Sequence, residues 1–125
     1  MKFNLEIPII VNRVRIEGPK AAREVDLIFD TGARHTSLSW ELLEEIGYSP
    51  AKVKEKVSVI TANGIVNAPF LRVKEISVRN LAVKHCSVIC HSIPDMAEVE
   101  GLLGLSFMEK FKITLDFKKR ELEII

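Results

Sequence analysis

No run of like charge in this chain is longer than Lys118-Lys119-Arg120, and 18 basic residues face 17 acidic ones for a net charge of +1. Nucleic acid is bound through a basic face or stripe, and nothing of that kind is present. Nor is there an apolar run near the ~20 residues that cross a bilayer. The opening Met1-Lys2-Phe3-Asn4-Leu5-Glu6 meets charge too early to act as a signal peptide. The expectation is a cytoplasmic protein with no nucleic-acid partner, no membrane contact and no cofactor. With 125 residues the chain has no room for a second lobe. It suits one domain over 1–125 that buries roughly two thirds of its unfolded surface.

Cysteine is nearly as scarce. Cys86 and Cys90 lie in a β-like run from Leu81 to Ile93, where four residues of strand hold their Cα atoms about 13 Å apart, too far for a disulfide. The flanking His85 and His91 give the stretch the look of a metal site. On a strand, though, the two thiols face one side and the two imidazoles the other, so the four groups do not converge and no metal is expected.

What the chain does have is Phe29-Asp30-Thr31-Gly32-Ala33. Val25, Leu27 and Phe29 alternate with Asp26, Ile28 and Asp30, the period of a half-buried strand that delivers Asp30 at its end. Gly32 then lets the backbone turn where a Cβ would clash. Upstream, Phe3 to Val14 is rich in β-branched residues, with Asn12-Arg13 as a hairpin turn and Gly18-Pro19 as a second turn. Downstream of the loop Arg34-His35-Thr36, Ser37 or Ser39 caps a short helix from about Trp40 to Ile46, with Leu42, Leu43 and Ile46 on one face and Gly47 as its stop.

From Val53 to Val73 the pattern is β again, interrupted by Thr61-Ala62-Asn63-Gly64-Ile65. Asn-Gly between apolar runs predicts a projecting hairpin with a type I′ turn, and Pro69 puts the return strand at an edge or ends a ladder. Val73 to Val83 and Val88 to Ile93 extend the strands about a turn at Asn80. Gly101-Leu102-Leu103-Gly104 reads as a strand passing tightly against another backbone, followed by a helix that Ser106 and Glu109 open as a capping box. Lys112 to Phe117 and Glu121 to Ile125 form a terminal hairpin about Lys118 to Arg120. Trp40, Leu102, Leu103, Phe107 and Phe111 are expected in the core, Ile124 and Ile125 in the core or an interface, and His35 on the surface.

Three of these stretches, in this order, resemble the retropepsin-like aspartic proteases, above all the small bacterial and archaeal members. They are Asp30-Thr31-Gly32-Ala33 as active-site loop, Thr61, Ala62, Asn63, Gly64 and Ile65 as flap, and Leu102-Leu103-Gly104 as the segment behind the loop. The resemblance implies a mostly β, closed barrel with a flap hairpin and one or two short helices, and a homodimer acting on peptide or protein substrates. In it Thr31 bonds across the dimer, the Gly32 backbone lies beside the substrate, and Asn63 and Gly64 close over the peptide.

The homodimer also follows from chemistry. Peptide hydrolysis of this type uses two carboxylates about 3 Å apart that share one proton, and only Asp30 opens an Asp-Thr/Ser-Gly; Asp26, Asp95 and Asp116 are followed by Leu, Met and Phe. Asp30 of a second copy supplies the partner, making the chain an aspartic endopeptidase with catalytic Asp30. The alternative is a dimerisation or peptide-binding module of the same fold without hydrolysis. An aspartyl-phosphate enzyme also starts from a strand-end Asp but needs a parallel α/β sheet that these strand signals do not provide. Where retroviral members carry two acids after the Ala and Arg-Asn after the apolar-apolar-Gly, this chain has Arg34-His35 and Leu105-Ser106, so both halves of that ion pair are missing together. For Arg34, near Asp30 in sequence, the alternatives are a charge that favours ionised Asp30 or binds an acidic group of the substrate, and a solvated loop cation.

Overall fold

The computed structural model describes residues 9–92 and 99–125, and the backbone of 2–4. Its strands are β1 (Lys2–Asn4), β2 (Ile10–Glu17), β3 (Ala22–Phe29), β4 (Thr36–Leu38), β5 (Lys56–Thr61), β6 (Gly64–Val78), β7 (Leu81–Cys90), β8 (Gly101–Leu103), β9 (Ile113–Asp116) and β10 (Glu121–Ile124). Two short helices, α1 (Trp40–Glu45) and α2 (Leu105–Met108), and a 3-10 turn at Pro50–Lys52 complete the described elements. The expectations for residues 5–8, for Ile93 and for Asp95 lie outside the described residues.

Six strands run in the order β2-β3-β8-β4-β7-β6, and β2 pairs again with β6. That second pairing closes the barrel and removes its open edges. β5 is attached to β6 alone, outside the ring, and β1-β10-β9 form a separate three-stranded sheet. The mostly β, closed barrel with a projecting hairpin and two short helices agrees with the expectation.

The barrel closes around alternating side chains. Val11, Val14 and Ile16 of β2 and Val25, Leu27 and Phe29 of β3 are buried, joined by Val73, Ile76 and Val78 of β6 and Val88 of β7. Burying each such side chain is worth about 1.5–3 kcal/mol. α1 covers one part of the core with Leu42, Leu43 and Ile46, capped as expected by Ser39, whose Oγ accepts from Leu42 N at 3.2 Å. Gly47 follows with φ +110°, a conformation that favours glycine. α2 contributes Phe107, fully buried and 5.0 Å ring-to-ring from Phe111.

Several local expectations need correction. Asn12-Arg13 is no hairpin turn: β2 runs through it, and the register with β3 shifts between Val11 and Val14. Arg13 takes φ 57°, and its N–H, lost to the ladder, donates to Asp26 Oδ1 at 3.1 Å. The left-handed residue serves a β-bulge rather than a turn. Thr36–Leu38 is a strand rather than loop and cap, paired parallel to β7 and antiparallel to β8. All three of its residues are buried, so no alternation marked it. Trp40 is 36% exposed and Ile125 57% exposed, outside the core, whereas Ile124 is buried. Leu102 and Phe111 are half-buried.

The hairpin and Pro69 are informative in another way. Thr61 pairs with Gly64, so Ala62 and Asn63 are the turn residues, and Asn63 is not among the left-handed residues. The turn is therefore not type I′. Thr61 Oγ1 accepts from Asn63 N (3.3 Å) and donates to Gly64 O (2.8 Å), and Gly64 takes the positive φ, +116°. Pro69 ends the ladder with β5, as expected; β6 continues through it to pair with β7 from Phe70 onward.

Candidate active site

β3 delivers Asp30 to the rim of a cleft. Beyond Phe29, whose N–H donates to Ile9 O at 2.8 Å, the Asp30 N–H donates to Leu103 O at 3.0 Å. The chain then folds on itself: Ala33 N donates to Asp30 O (3.3 Å) and Gly32 N to Asp30 Oδ1 (2.8 Å). One carboxylate oxygen is thereby held by its own loop. Oδ2 makes no hydrogen bond among the described residues. Gly32 takes no left-handed φ, and a Cβ there would stand 3.2 Å from Asp30 Oδ1, a tight contact with the carboxylate that the Gly32 N–H holds.

The segment behind the loop fixes it from below. β8 lies between β3, to which it runs parallel, and β4, to which it runs antiparallel. The first N–H groups of α2, which lack helical partners, are taken by carbonyls of the active-site loop: Leu105 N to Ala33 O at 2.8 Å and Ser106 N to Arg34 O at 3.0 Å. Ser106 and Glu109 are not the capping box expected. Gly104 is the N-cap, with no side-chain cap, and Ser106 stands inside the helix, where its hydroxyl joins a network with β4.

In that network Thr36 N donates to Ser106 Oγ (2.9 Å), Ser106 Oγ donates to Thr36 Oγ1 (3.0 Å), and Gly104 N donates to Thr36 Oγ1 (3.1 Å). Cys86 Sγ reaches Ser106 O at 3.6 Å. Neutral hydroxyls thus tie β4, β8 and α2 together without any ion pair. Both bracketing glycines are needed for the approach, as expected. A Cβ on Gly101 would overlap the Ser37 carbonyl, and one on Gly104 would stand 2.6 Å from Ala33 O and 2.7 Å from His35 O.

The cleft has a volume of about 850 Å³. Asp30, Gly32, Ala33 and Arg34 form one side, and Val57, Val59, Ile60 and Thr61 of β5 form the other. Leu102, Phe70, Ile89 and His91 line it between them. Of the residues expected at the site, the cleft therefore gathers Asp30, Gly32, Ala33, Thr61 and Leu102. Thr31, Ala62, Asn63, Gly64 and Ile65 are exposed beside it, while Leu103 is in the core and Gly104 supports the loop. The β5 face, Phe70, Ile89 and His91 were not anticipated. The cleft meets consecutive β5 residues from Val57 to Thr61, so strand alternation does not mark them, and strand pairing sets which cavity they meet.

His35 is half-buried rather than on the surface. Its ring meets Phe70 edge-on, centroids 5.4 Å apart, and Phe70 carries the Arg72 guanidinium 5.5 Å from its centroid. His35 Nδ1 is shut off from solvent with no hydrogen-bond partner. Burial, and second the charge of Arg34, lower its pKa and favour the neutral ring. The two thiols move the other way, pushed up to about 11 each, chiefly by burial. Cys86 and Cys90 are free and buried, and no group of metal-binding side chains occurs among the described residues.

A closed barrel with β8 laid between β3 and β4, an Asp-Thr-Gly loop resting on it, and a hairpin across a cleft define a retropepsin-like lobe. A crystal structure of a retropepsin-like aspartic protease from Rickettsia conorii superposes with a TM-score of 0.73 at 21% identity, covering 100% of this chain and 97% of the other. The aspartyl protease family model matches residues 12–107, and the chain belongs to that family. An uncharacterized protein encoded in the cobV 5′ region of a Sinorhizobium species is 28% identical over 102 residues, 82% of this chain. The chain spans 42% of the length of that relative. No helix of the described residues is long and apolar enough to cross a membrane.

Proposed function

We propose that two copies of this chain associate about a two-fold axis and hydrolyse peptide bonds between their paired Asp30 carboxylates. The observation that carries the reading is Asp30 itself, with Oδ1 fixed by the Gly32 N–H and Oδ2 without a partner at the rim of the cleft. A carboxylate held in this way is oriented by its own loop. The sequence has a single Asp-Thr-Gly, so the second acid comes from a second copy, and the exposed Thr31 and Gly32 beside it are free to meet their counterparts across the axis.

One Asp30 takes a proton from a bound water, which attacks the scissile carbonyl. The other, protonated, donates to the carbonyl oxygen as it gains charge, and a proton returns to the leaving nitrogen as the C–N bond breaks. Sharing one proton between two close carboxylates is what makes the acid and base roles available together. The end of the hairpin, residues 60–65, with Ile60 86% and Ile65 72% exposed, closes on the peptide and shields the reacting atoms from bulk water.

The test is cleavage of an unfolded protein and a peptide library by wild type and by Asp30→Asn, from acid to neutral pH, with sedimentation reporting dimer and mass spectrometry the cuts. The reading predicts cleavage by wild type that falls at least about 100-fold in Asp30→Asn, the scale of an acid–base group removed. A folded dimer that cleaves nothing at any pH contradicts it and leaves a peptide-binding module.

A further inference from the structure

Of the residues lining the cleft, Asp30 is the one carboxylate and Arg34 the one permanent cation. Three other arginines are ion-paired, Arg13 with Glu24, Arg15 with Glu17 and Arg23 with Glu45, and Arg72 lies over the Phe70 ring. The exposed Arg34 guanidinium has no ion pair or hydrogen bond among the described residues. Its backbone, by contrast, is fixed, because Arg34 O accepts from Ser106 N at the start of α2. His35, wedged against Phe70, holds the next residue in place. An unpaired guanidinium on an anchored root, inside a cleft, is a preorganised receptor for a carboxylate.

We infer that Arg34 forms a specificity subsite, so that the chain selects peptides with an Asp or Glu within about three residues of the scissile bond. The inference rests on the cleft being the peptide-binding site proposed above. Arg34 and the neighbouring His35, whose pKa is lowered chiefly by burial and second by the Arg34 charge, both line the cleft. No ion pair joins Arg34 to Asp30, whose Oδ1 is held instead by the Gly32 N–H. In a dimer two Arg34 charges face an Asp30 pair that carries one negative charge between its members, which leaves the cleft net positive. The rest of the wall mixes apolar side chains, among them Val57, Val59, Ile89 and Leu102, with uncharged polar ones such as Ser37, Ser58 and Thr61, so among the described residues no second acid of the cleft competes for Arg34.

The probe is a set of fluorogenic peptides with a common apolar sequence in which one position, up to three residues on either side of the cut, is Glu, Gln or Lys. A charge-assisted hydrogen bond to Arg34 predicts a roughly ten- to hundred-fold higher kcat/KM for the best Glu peptide over its Gln counterpart. Arg34→Gln collapses that ratio towards one, Arg34→Lys keeps part of it, and Arg34→Glu turns it towards the Lys peptide. Urea unfolding checks that each variant is folded. A Glu/Gln ratio near one in wild type, or a ratio that survives in Arg34→Gln, overturns the inference. Anisotropy binding of the same peptides to Asp30→Asn separates this from the catalytic reading. A Glu preference in binding that Arg34→Gln removes supports the subsite even where wild type cleaves nothing, whereas cleavage without a Glu preference leaves the hydrolysis and refutes the subsite.

Discussion

The two sides of the cleft are built in opposite ways. On one, the loop is tied to β8 and α2 at four backbone groups, Asp30 N to Leu103, Ala33 O to Leu105, Arg34 O to Ser106 and Thr36 N to Ser106, and by the Thr36 hydroxyl to Gly104. On the other, β5 and the first residues of β6 bond only to each other, and Gly64, Ile65, Val66 and Asn67 are exposed. Buried, mutually satisfied polar groups hold one geometry; a two-stranded ribbon without a covering layer opens at little cost. Asp30, the proposed catalytic acid, sits on the side tied to β8 and α2, and the proposed flap is the two-stranded ribbon.

The hardest way to break the fixed side is to fill the space that brings its backbones together. Gly101→Ala places a methyl group on the Ser37 carbonyl, at a φ of +156°, and is expected to cost more than about 4 kcal/mol, the range of severe core lesions. A urea midpoint close to that of wild type would show that β8 and β4 have slack. Next comes Thr36→Val, which keeps the shape but removes the acceptor of Gly104 N and the partner of Ser106 Oγ. It is expected to lower stability by about 1–3 kcal/mol by the same measurement.

The smallest effect belongs to the other side. Ile60→Ser with Ile65→Ser alters two side chains that are 86% and 72% exposed, and stability is expected to stay within about 0.5 kcal/mol of wild type. Amide exchange sharpens the contrast: amides of 58–67 are expected to exchange far faster than those of Asp30, Gly104 and Leu105. Equal protection on both sides would erase the distinction.

Legibility followed the same division. Asp30, its strand and the tight glycines could be read because alternation and close approach leave local marks in sequence. α1 was also readable, since Ser39 and Gly47 do the work their residue types suggest. β4 escaped because a short strand buried on every residue has no period. Ser106 was misread because a hydroxyl near a helix start fits a cap equally well as a tertiary tie, and only the proximity of Thr36, 70 residues away, decides. The cleft wall from β5, Phe70, Ile89 and His91 is a product of strand pairing, and no single segment carries it. Asn12-Arg13 and Asn63-Gly64 show that a left-handed residue announces a backbone kink without saying whether it turns the chain or bulges it.

The central claim, that each active site takes one Asp30 from each of two copies, is tested most directly by mixing. Wild type and Asp30→Asn are unfolded together in equal amounts, refolded as dimers, and assayed against the best peptide at fixed total protein. Random pairing leaves about one quarter of the dimers with two intact acids, so the account predicts about one quarter of the activity of the same total of wild type. Activity that follows the wild-type share, at about one half, would mean that one copy suffices and would contradict it.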